Sequence, residues 1–444
     1  MDLEPADLLL DDDPDSPSLT PRQRRRAIVA VTVGNGLEFY DFVTFAYFAI
    51  QIGNTFFPSH SPYLSLMGSL ATFGAGFITR PLGAHFLGGY ADRHGRKPAM
   101  LISMVLMGCG ILLLALTPGY ATIGFAAPLI AVIARMMQGF ALGGEVGSAT
   151  TYMMESALEK HRGATISWQG ASQGIAGTIG ALVGLLLSFV LTKGQLDEYG
   201  WRIALLLGAA IVPFALIIRN SLPETHSAAK LAAEGNVAFG SYWRAVMLGL
   251  LMIASGTIGS YIFKYMATYG QGTLKLSSSI SFAGTVANSF ASIFTVLIGG
   301  WLSDRIGRRQ VMIVPQVFFV VLIVPCFLWL VSSHTAIAFV GANLILSALG
   351  GAGQGAMYAA ITENLPRAVR ARAFALVYSV PVALFGGTTQ LVVTWLLHVT
   401  GSPMSIAWYL TGVSTIGLIA MMLVRESAPV MTGSQPLGAE PQLA

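Results

Sequence analysis

The sequence predicts an all-α membrane protein in which twelve transmembrane helices form two six-helix bundles. Hydrophobic residues make up 54% of the 444 residues and charged residues only 10%, whereas a soluble protein carries about 25% charged residues. The apolar residues fall into runs near the roughly 20 residues that a spanning helix needs. A charged motif occurs twice, about half the chain apart, which indicates two related halves.

The first residues of the chain are too acidic and too rich in proline to form a folded core. Residues 1–21 hold seven Asp and Glu residues, so they are expected to form a disordered cytoplasmic tail. The first bundle is predicted within 22–220, a linker at 221–242, the second bundle within 243–425 and a polar tail at 426–444. The helices are expected at 27–57, 63–90, 98–117, 122–146, 163–191, 201–220, 243–270, 278–303, 310–332, 335–361, 371–398 and 404–424.

The distribution of positive charge predicts the orientation. Nineteen of the 25 Lys and Arg residues fall in segments on one side, which also holds both termini, and the opposite loops carry only Lys193, Arg202 and Lys275. Because short loops rich in Lys and Arg stay inside the cell, both termini are expected in the cytoplasm. Basic residues spread over alternate loops give no basis for nucleic-acid binding.

The repeated motif reads Gly-x-x-x-Asp-Arg-x-Gly-Arg-[Lys/Arg], at 88–97 and 300–309. Such charges do not lie in hydrocarbon, so each copy is expected in a tight turn at the membrane surface. A second repeat places Glu155 seven residues before Arg162 and Glu363 seven residues before Arg370. We expect two charge clusters that latch one conformation and break in another; the alternative is ordinary surface ion pairs. The predicted cytoplasmic gate residues are Asp92, Arg93, Arg96, Glu155, Arg162, Asp304, Arg305, Arg308, Glu363 and Arg370.

Acidic residues inside predicted helices are candidates for carrying protons, because ionisable groups are costly there. Glu38 and Asp41 are three positions apart and share a helix face. Two carboxylates that close do not easily both ionise in a low dielectric. Glu145 on the fourth helix is a third candidate. The alternative is that Glu38 and Asp41 form fixed ion pairs with intramembrane arginines.

Three basic residues, Arg80, Arg135 and Lys264, also lie inside predicted helices. Arg135 can clamp a carboxylate bidentately or pair with Asp41. Arg80 can bind substrate or pair with Glu38 or Glu145. Lys264 can face a central cavity or extend to the membrane interface.

Neutral polar residues complete the candidate substrate site. Gln169 and Gln173 are four positions apart and face one way; they suit hydroxyl or carboxyl oxygens, or else join neighbouring helices. Asn35 and Tyr358 are further candidates. Histidines and cysteines have no metal spacing, and no nucleophile–base set is present, so neither a metal, a cofactor nor an enzyme is expected.

The paired motif resembles the signature loop of the major facilitator superfamily, which joins helices 2 and 3 and again helices 8 and 9. The resemblance covers residues 22–425 and implies two bundles that rock about a central cavity, the alternating-access arrangement. Within the superfamily, residues 34–42, 77–83, 135–140 and 168–173 resemble the metabolite:proton symporter branch. Residues 56–58, 107–110 and 385–387 are most similar to the citrate and tricarballylate proton symporters.

This resemblance implies proton-coupled uptake of a tri- or dicarboxylate, such as citrate or tricarballylate, across the bacterial inner membrane. The protein is expected to be a monomer. The three intramembrane cations agree with an anionic substrate. Lys264 and Gly174 depart from the citrate-transporter pattern. The alternatives are a symporter for 2-oxoglutarate, shikimate or a zwitterionic osmolyte, or a transporter-like carboxylate receptor.

Overall fold

A computed structural model describes residues 21–94, 96–143, 157, 161–220, 239–366 and 369–432. Within these ranges the protein is helical and has no β-strand. The helices that build the fold are α1 (Pro21–Tyr47 and Ala49–Phe56), α2 (Pro62–Ile78 and Arg80–His94), α3 (Arg96–Leu116), α4 (Ala126–Gly143), α5 (Arg162–Val190), α6 (Trp201–Asn220), α7 (Trp243–Gly272), α8 (Ser278–Ile306), α9 (Arg308–Ser333), α10 (Ala336–Ala352 and Gln354–Glu363), α11 (Arg370–Thr400) and α12 (Ser405–Leu423).

Most of these helices have the length and composition that the sequence predicts for membrane spans. Eight helices in the described part of the chain, α4, α5 and α7 to α12, are long and apolar enough to cross a membrane. The helix starts differ most at α1, which begins at Pro21, and at α4, which begins at Ala126. Gly124 has a φ of +58° and separates α4 from a single turn at Tyr120–Ile123.

The two bundles meet along helices from both halves. The most extensive contact joins α5 of the first bundle to α8 of the second, and α11 packs along the Pro62–Ile78 part of α2. Glycine permits the close approach of α5 and α8: a methyl group on Gly163 would lie 2.6 Å from the carbonyl oxygen of Gly300. Near the other end of the same pair, Gly184 faces the ring of Phe282.

The bundles are closed over each other at one end. We call the end that holds residues 88–97 and 300–309 the motif end, and the other the opposite end. At the opposite end the rings of Tyr63 and His398 stack with centroids 3.9 Å apart, and Gln51 donates to Gln271 at 3.2 Å. At the motif end α11 has little contact with Arg80–His94, so the bundles separate there between α2 and α11.

Candidate functional site

A cavity lies between the two bundles and reaches into the second one. Its walls come from α1 and α5 of the first bundle and from all six helices of the second, and the cavity with its mouth encloses about 1360 Å³. Glycines on α5, α7 and α10 leave much of this space free of side chains. The expected polar candidates that line it are Gln173, Lys264 and Tyr358.

Lys264 is the one charged side chain among the described residues that line the cavity. Its Nζ donates to Ser260 Oγ at 2.7 Å and lies 4.3 Å from the centre of the Tyr261 ring. Only 9% of the residue is exposed, and no described carboxylate pairs with it. Because a buried charge is normally paired, this ammonium is suited to an anion that enters the cavity. Of its two expected positions, Lys264 therefore occupies the cavity rather than the interface.

Arg80 lies just behind the cavity wall and connects the two bundles. Its guanidinium lies over the rings of Phe77, at 4.1 Å, and Phe42, at 4.8 Å. It also lies close to the hydroxyl of Tyr261, which belongs to α7 and lines the cavity. A cation over aromatic faces is stabilised by the ring electrons. Arg80 therefore adds positive potential close to Lys264.

Arg135 and Asp41 form a buried ion pair inside the first bundle. Arg135 Nη1 lies 3.3 Å from Asp41 Oδ2, and both residues are 1% exposed. The same nitrogen donates to Gln138 Oε1 at 2.5 Å, and the guanidinium lies 5.1 Å from the centre of the Phe42 ring. Two roles are expected for Arg135. Its position favours the role of ion-pair partner of Asp41 over the role of a clamp for a substrate carboxylate.

Neutral side chains form the remaining polar surface between the bundles. The Tyr378 hydroxyl lies close to Gln173 and Gln169 across the interface, and the amide of Gln169 has no hydrogen-bond partner among the described residues. Tyr358 accepts a hydrogen bond from Gln354 Nε2 at 3.2 Å. Asn35, in contrast, donates to Ser172 Oγ at 2.6 Å, and this bond joins α1 to α5 away from the cavity.

At the motif end, one carboxylate holds a helix of the other bundle. Asp304 Oδ1 and Oδ2 accept hydrogen bonds from the backbone N–H groups of Gly163 and Ala164, both at 2.9 Å. These donors are the first turn of α5, where free N–H groups and the helix dipole favour an anion. The second copy of the motif thus joins the two bundles directly.

Arg308 connects this contact to the end of α10. It pairs with Asp304 at 2.5 Å and with Glu363 at 3.0 Å, and it is fully buried. Arg305 instead lies over the ring of Trp301 at 3.9 Å, and Arg370 donates to the carbonyl of Leu365. Of the expected gate residues in the second half, the structure therefore brings together Asp304, Arg308 and Glu363.

Two residues after α12 belong to the same cluster and are missing from the sequence prediction. Glu426 accepts hydrogen bonds from the backbone N–H groups of Arg308 and Arg309, each at 2.9 Å. Ser427 Oγ donates to Glu363 at 2.7 Å. Burial opposes ionisation of Glu426, but bonds from Ala428 and from three further backbone N–H groups hold the pKa of its carboxyl below the usual value.

The side chains of several predicted site residues are not among those that the structure describes. Glu145 and Glu155 fall outside the described residues, and the same holds for the side chains of Glu38, Asp92, Arg93 and Arg96. Arg162, the first residue of α5, is described next to the Asp304 contact. In the described part of the chain no three His, Cys, Asp or Glu residues come together as metal ligands.

Comparison with known proteins gives consistent matches along the chain. A family profile described as Major Facilitator Superfamily matches residues 39–380 and, in a second match, 277–443. The citrate-proton symporter of Salmonella typhi is 38% identical over 409 residues, which cover 90% of this chain and 94% of that protein. The alpha-ketoglutarate permease of Escherichia coli K12 is 32% identical, with 91% and 95% covered. The proline/betaine transporter of the same strain is 29% identical, with 95% and 87% covered.

Solved structures share the fold at low sequence identity. The crystal structure of the D-xylose-proton symporter superimposes with a TM-score of 0.74 and 16% identity, covering 91% of this chain and 98% of that chain. At this identity the match supports the arrangement of the helices and carries no information on what this chain binds.

Proposed function

Because the chain belongs to the major facilitator superfamily, we propose that it takes up a tri- or dicarboxylate together with protons by alternating access. Members of this family are transporters, and the chain is not an enzyme. The proposal includes a bacterial inner membrane with both termini in the cytoplasm. The distribution of Lys and Arg over the loops supports that orientation, and the citrate-proton symporter and alpha-ketoglutarate permease named above are bacterial.

The single observation that carries the proposal is the ammonium of Lys264 in the cavity wall, with which no carboxylate of the described residues pairs. Its hydrogen-bond partner, Ser260, is neutral, and the nearby Arg80 adds to the positive potential. A carboxylate that entered the cavity would supply the missing negative charge, and the low dielectric would strengthen the attraction. Hydroxyl and amide groups of Tyr358, Tyr378 and Gln173 are available for its remaining oxygens.

The same cavity distinguishes between the substrates named for the relatives. Citrate and alpha-ketoglutarate are polycarboxylates, whereas proline and betaine are zwitterions. The cationic end of a zwitterion needs an acidic side chain or an aromatic cage. The described wall of the cavity holds aromatic rings but no Asp or Glu, and its one charged side chain, Lys264, would repel a cationic group. This charge favours a polyanion.

Proton coupling is assigned to Asp41 and its partner Arg135. Asp41 Oδ1 is buried and has no hydrogen-bond partner among the described residues, so it is available to receive a proton. Protonation would cancel the charge of Asp41 and weaken its pairing with Arg135. Arg135 and Arg80 both lie over the Phe42 ring, so a shift of Arg135 would reach Arg80 and, beside it, Tyr261 in the cavity wall.

Protons also balance the charge of the substrate. Each net negative charge moved into a cell that is negative inside costs about 2.3 kcal/mol per 100 mV. A tricarboxylate entering alone would therefore be driven out. Proton binding at Asp41 and on the substrate itself would remove this cost and link uptake to the proton gradient.

The experiment is uptake into energised vesicles that contain the purified protein. Labelled citrate, tricarballylate, 2-oxoglutarate, shikimate and betaine would be compared with and without a proton uncoupler. Accumulation of a polycarboxylate that the uncoupler abolishes is the expected result. Accumulation of betaine with no uptake of any carboxylate would overturn the proposal.

A further inference from the structure

The cavity is not confined to the space between the bundles. Part of its wall is formed by Gln316 and Phe319 of α9 and by Ser414 and Met421 of α12. Helix α9 packs against α8, α10 and α12 of its own bundle, so this part of the cavity extends into the interior of the second bundle. We call the extension the side pocket and define it by Ser255, Gly256, Gly259, Gln316 and Ser414.

Two glycines of α7 keep the side pocket open. A methyl group on Gly256 would lie 3.6 Å from Met357 Cε, and one on Gly259 would lie 3.8 Å from Leu410 Cδ1. Both distances are ordinary van der Waals contacts, so helix packing does not require glycine at either position. At Gly249 of the same helix, in contrast, the methyl group would lie 2.8 Å from Val377. The effect of glycine at 256 and 259 is therefore to leave space.

The side pocket offers neutral hydrogen-bonding groups next to a positive charge. Ser255 contributes a hydroxyl, and Gln316 contributes an amide whose Nε2 donates to the Ser414 carbonyl at 3.2 Å. Lys264 Nζ reaches back along α7 to Ser260, the neighbour of Gly259. An ammonium beside hydroxyl and amide groups suits a carboxylate, whereas an apolar group would leave these polar groups unpaired.

We propose that the side pocket receives one carboxymethyl arm of a bound tricarboxylate, and that Gly256 and Gly259 set the size of substrate that fits. This inference rests on the proposed function, because it assumes that the substrate is a carboxylate. The remaining two carboxylates then stay in the space between the bundles, near Tyr358 and Tyr378. A substrate that lacks the arm binds without entering the side pocket.

The test compares two carboxylates that differ by one arm. Succinate is tricarballylate without a carboxymethyl group. Uptake of labelled tricarballylate, and its inhibition by succinate, would be measured in liposomes for wild type, Gly256→Ala, Gly259→Ala and Gly259→Val. We expect the KM for tricarballylate to rise about fivefold with Ala and more than tenfold with Val, while the inhibition constant of succinate changes less than twofold.

A matched control and a second variant separate specificity from folding. Gly412 of α12 is exposed and has no atom within 4 Å of an added methyl group, so Gly412→Ala should behave like wild type. Gln316→Met keeps the length of the side chain, removes its amide and adds no branch; it should reduce affinity for tricarballylate selectively even if the glycine variants do not fold.

The outcomes distinguish this inference from the proposed function. If wild type takes up none of the labelled polycarboxylates, citrate and 2-oxoglutarate included, the proposed function fails. If it takes up a dicarboxylate but no tricarboxylate, the proposed function stands and the side pocket does not hold an arm. If wild type takes up tricarballylate and the side-pocket variants either match it or lose both compounds to the same extent, the side pocket does not hold an arm. A selective loss of tricarballylate supports the inference.

Discussion

Lys264 shows how one residue can define the chemistry of a cavity. A lysine that is 9% exposed and has no described carboxylate partner lowers stability, since removing an ammonium from water costs several kcal/mol unless the charge is compensated. Its presence in the wall is explained if a ligand compensates it during function. The structure thus separates Lys264 from Arg135, whose charge Asp41 already balances.

Replacing Lys264 by Met tests this role. The change removes the charge and keeps the length of the side chain, so we expect carboxylate uptake to fall at least tenfold and the melting temperature to rise or stay constant. Labelled uptake and thermal unfolding of the purified protein are the measurements. Lys193→Met, in an exposed turn outside the cavity, is the control. Normal uptake by Lys264→Met would remove the residue from the binding site.

Asp41→Asn tests the coupling site. Asn imitates the protonated carboxyl and can no longer release a proton, so accumulation against a gradient should be lost. Exchange of labelled for unlabelled substrate needs no net proton movement and should remain within about threefold of wild type. Both are measured in the same vesicles. Proton-driven accumulation by Asp41→Asn would exclude Asp41 from coupling.

At the scale of helices, the turn between α8 and α9 organises the motif end. Asp304 holds the first turn of α5 through two charge-assisted bonds, each of a kind worth about 1.5–3 kcal/mol. This contact is intact while α2 and α11 are already apart, so Asp304→Asn should favour further separation of α5 from α8 at the motif end by roughly tenfold, which corresponds to about 1.4 kcal/mol.

The shift can be followed by the labelling rate of a cysteine in the cavity wall. Ser292→Cys in a Cys109→Ser background would be labelled with a membrane-impermeant maleimide from the motif end, and Asp304→Asn should accelerate it. Arg305→Gln changes a neighbouring charge that lies over Trp301 and should leave the rate unchanged. Equal rates in all three proteins would mean that Asp304 is no latch.

Glu426 predicts a dependence of stability on pH. Its pKa in the folded protein lies below the usual value near 4.5, so its contribution is present above about pH 4.5 and is lost as the pH falls through the lowered pKa. Glu426→Gln should lower the melting temperature at pH 7, and the difference from wild type should shrink below pH 4.5. Glu198→Gln, at an exposed position, should show no such trend. A pH-independent difference would contradict this assignment.

The helices could be predicted from the sequence, but the faces they present could not. The span expected at 201–220 coincides with Trp201–Asn220, because runs of apolar residues report burial in lipid directly. An ionisable residue inside a span is expected to avoid lipid. A position that faces the cavity and a position inside one bundle both meet this condition. For this reason Lys264 and Arg135 looked alike in the sequence and lie in different places in the structure.

Glu426 was missed for a related reason. It follows the last apolar run, in a polar stretch that reads as a tail, and the contacts that hold it are backbone N–H groups of Arg308 and Arg309. Backbone donors leave no trace in the amino-acid pattern. The structure instead describes an ordered segment as far as Thr432, including a turn of helix at Pro429–Thr432.

At the scale of the whole molecule, the two ends are in different states. The opposite end is closed by Tyr63 against His398 and by Gln51 against Gln271. At the motif end, α2 and α11 part while α5 and α8 remain joined. Alternating access requires the closed end to open in each cycle.

Tethering the opposite end should therefore stop transport. Tyr63→Cys and His398→Cys, combined in the Cys109→Ser background, would be joined with a short thiol-reactive cross-linker. We expect uptake to fall below about a tenth of that before treatment, because the closed end can no longer open. Each single cysteine variant, treated in the same way, should retain uptake. Full uptake by the tethered protein would mean that this end stays closed throughout the cycle.

The Asp304 contact has a consequence for how this protein tolerates change. Its donors are peptide groups of Gly163 and Ala164, which every amino acid except proline retains. Random replacement of Ala164 therefore preserves its own hydrogen bond unless proline arises, whereas a single replacement of Asp304 alters the acceptor of both hydrogen bonds at once. Among related sequences we therefore expect different amino acids at position 164 and Asp at position 304.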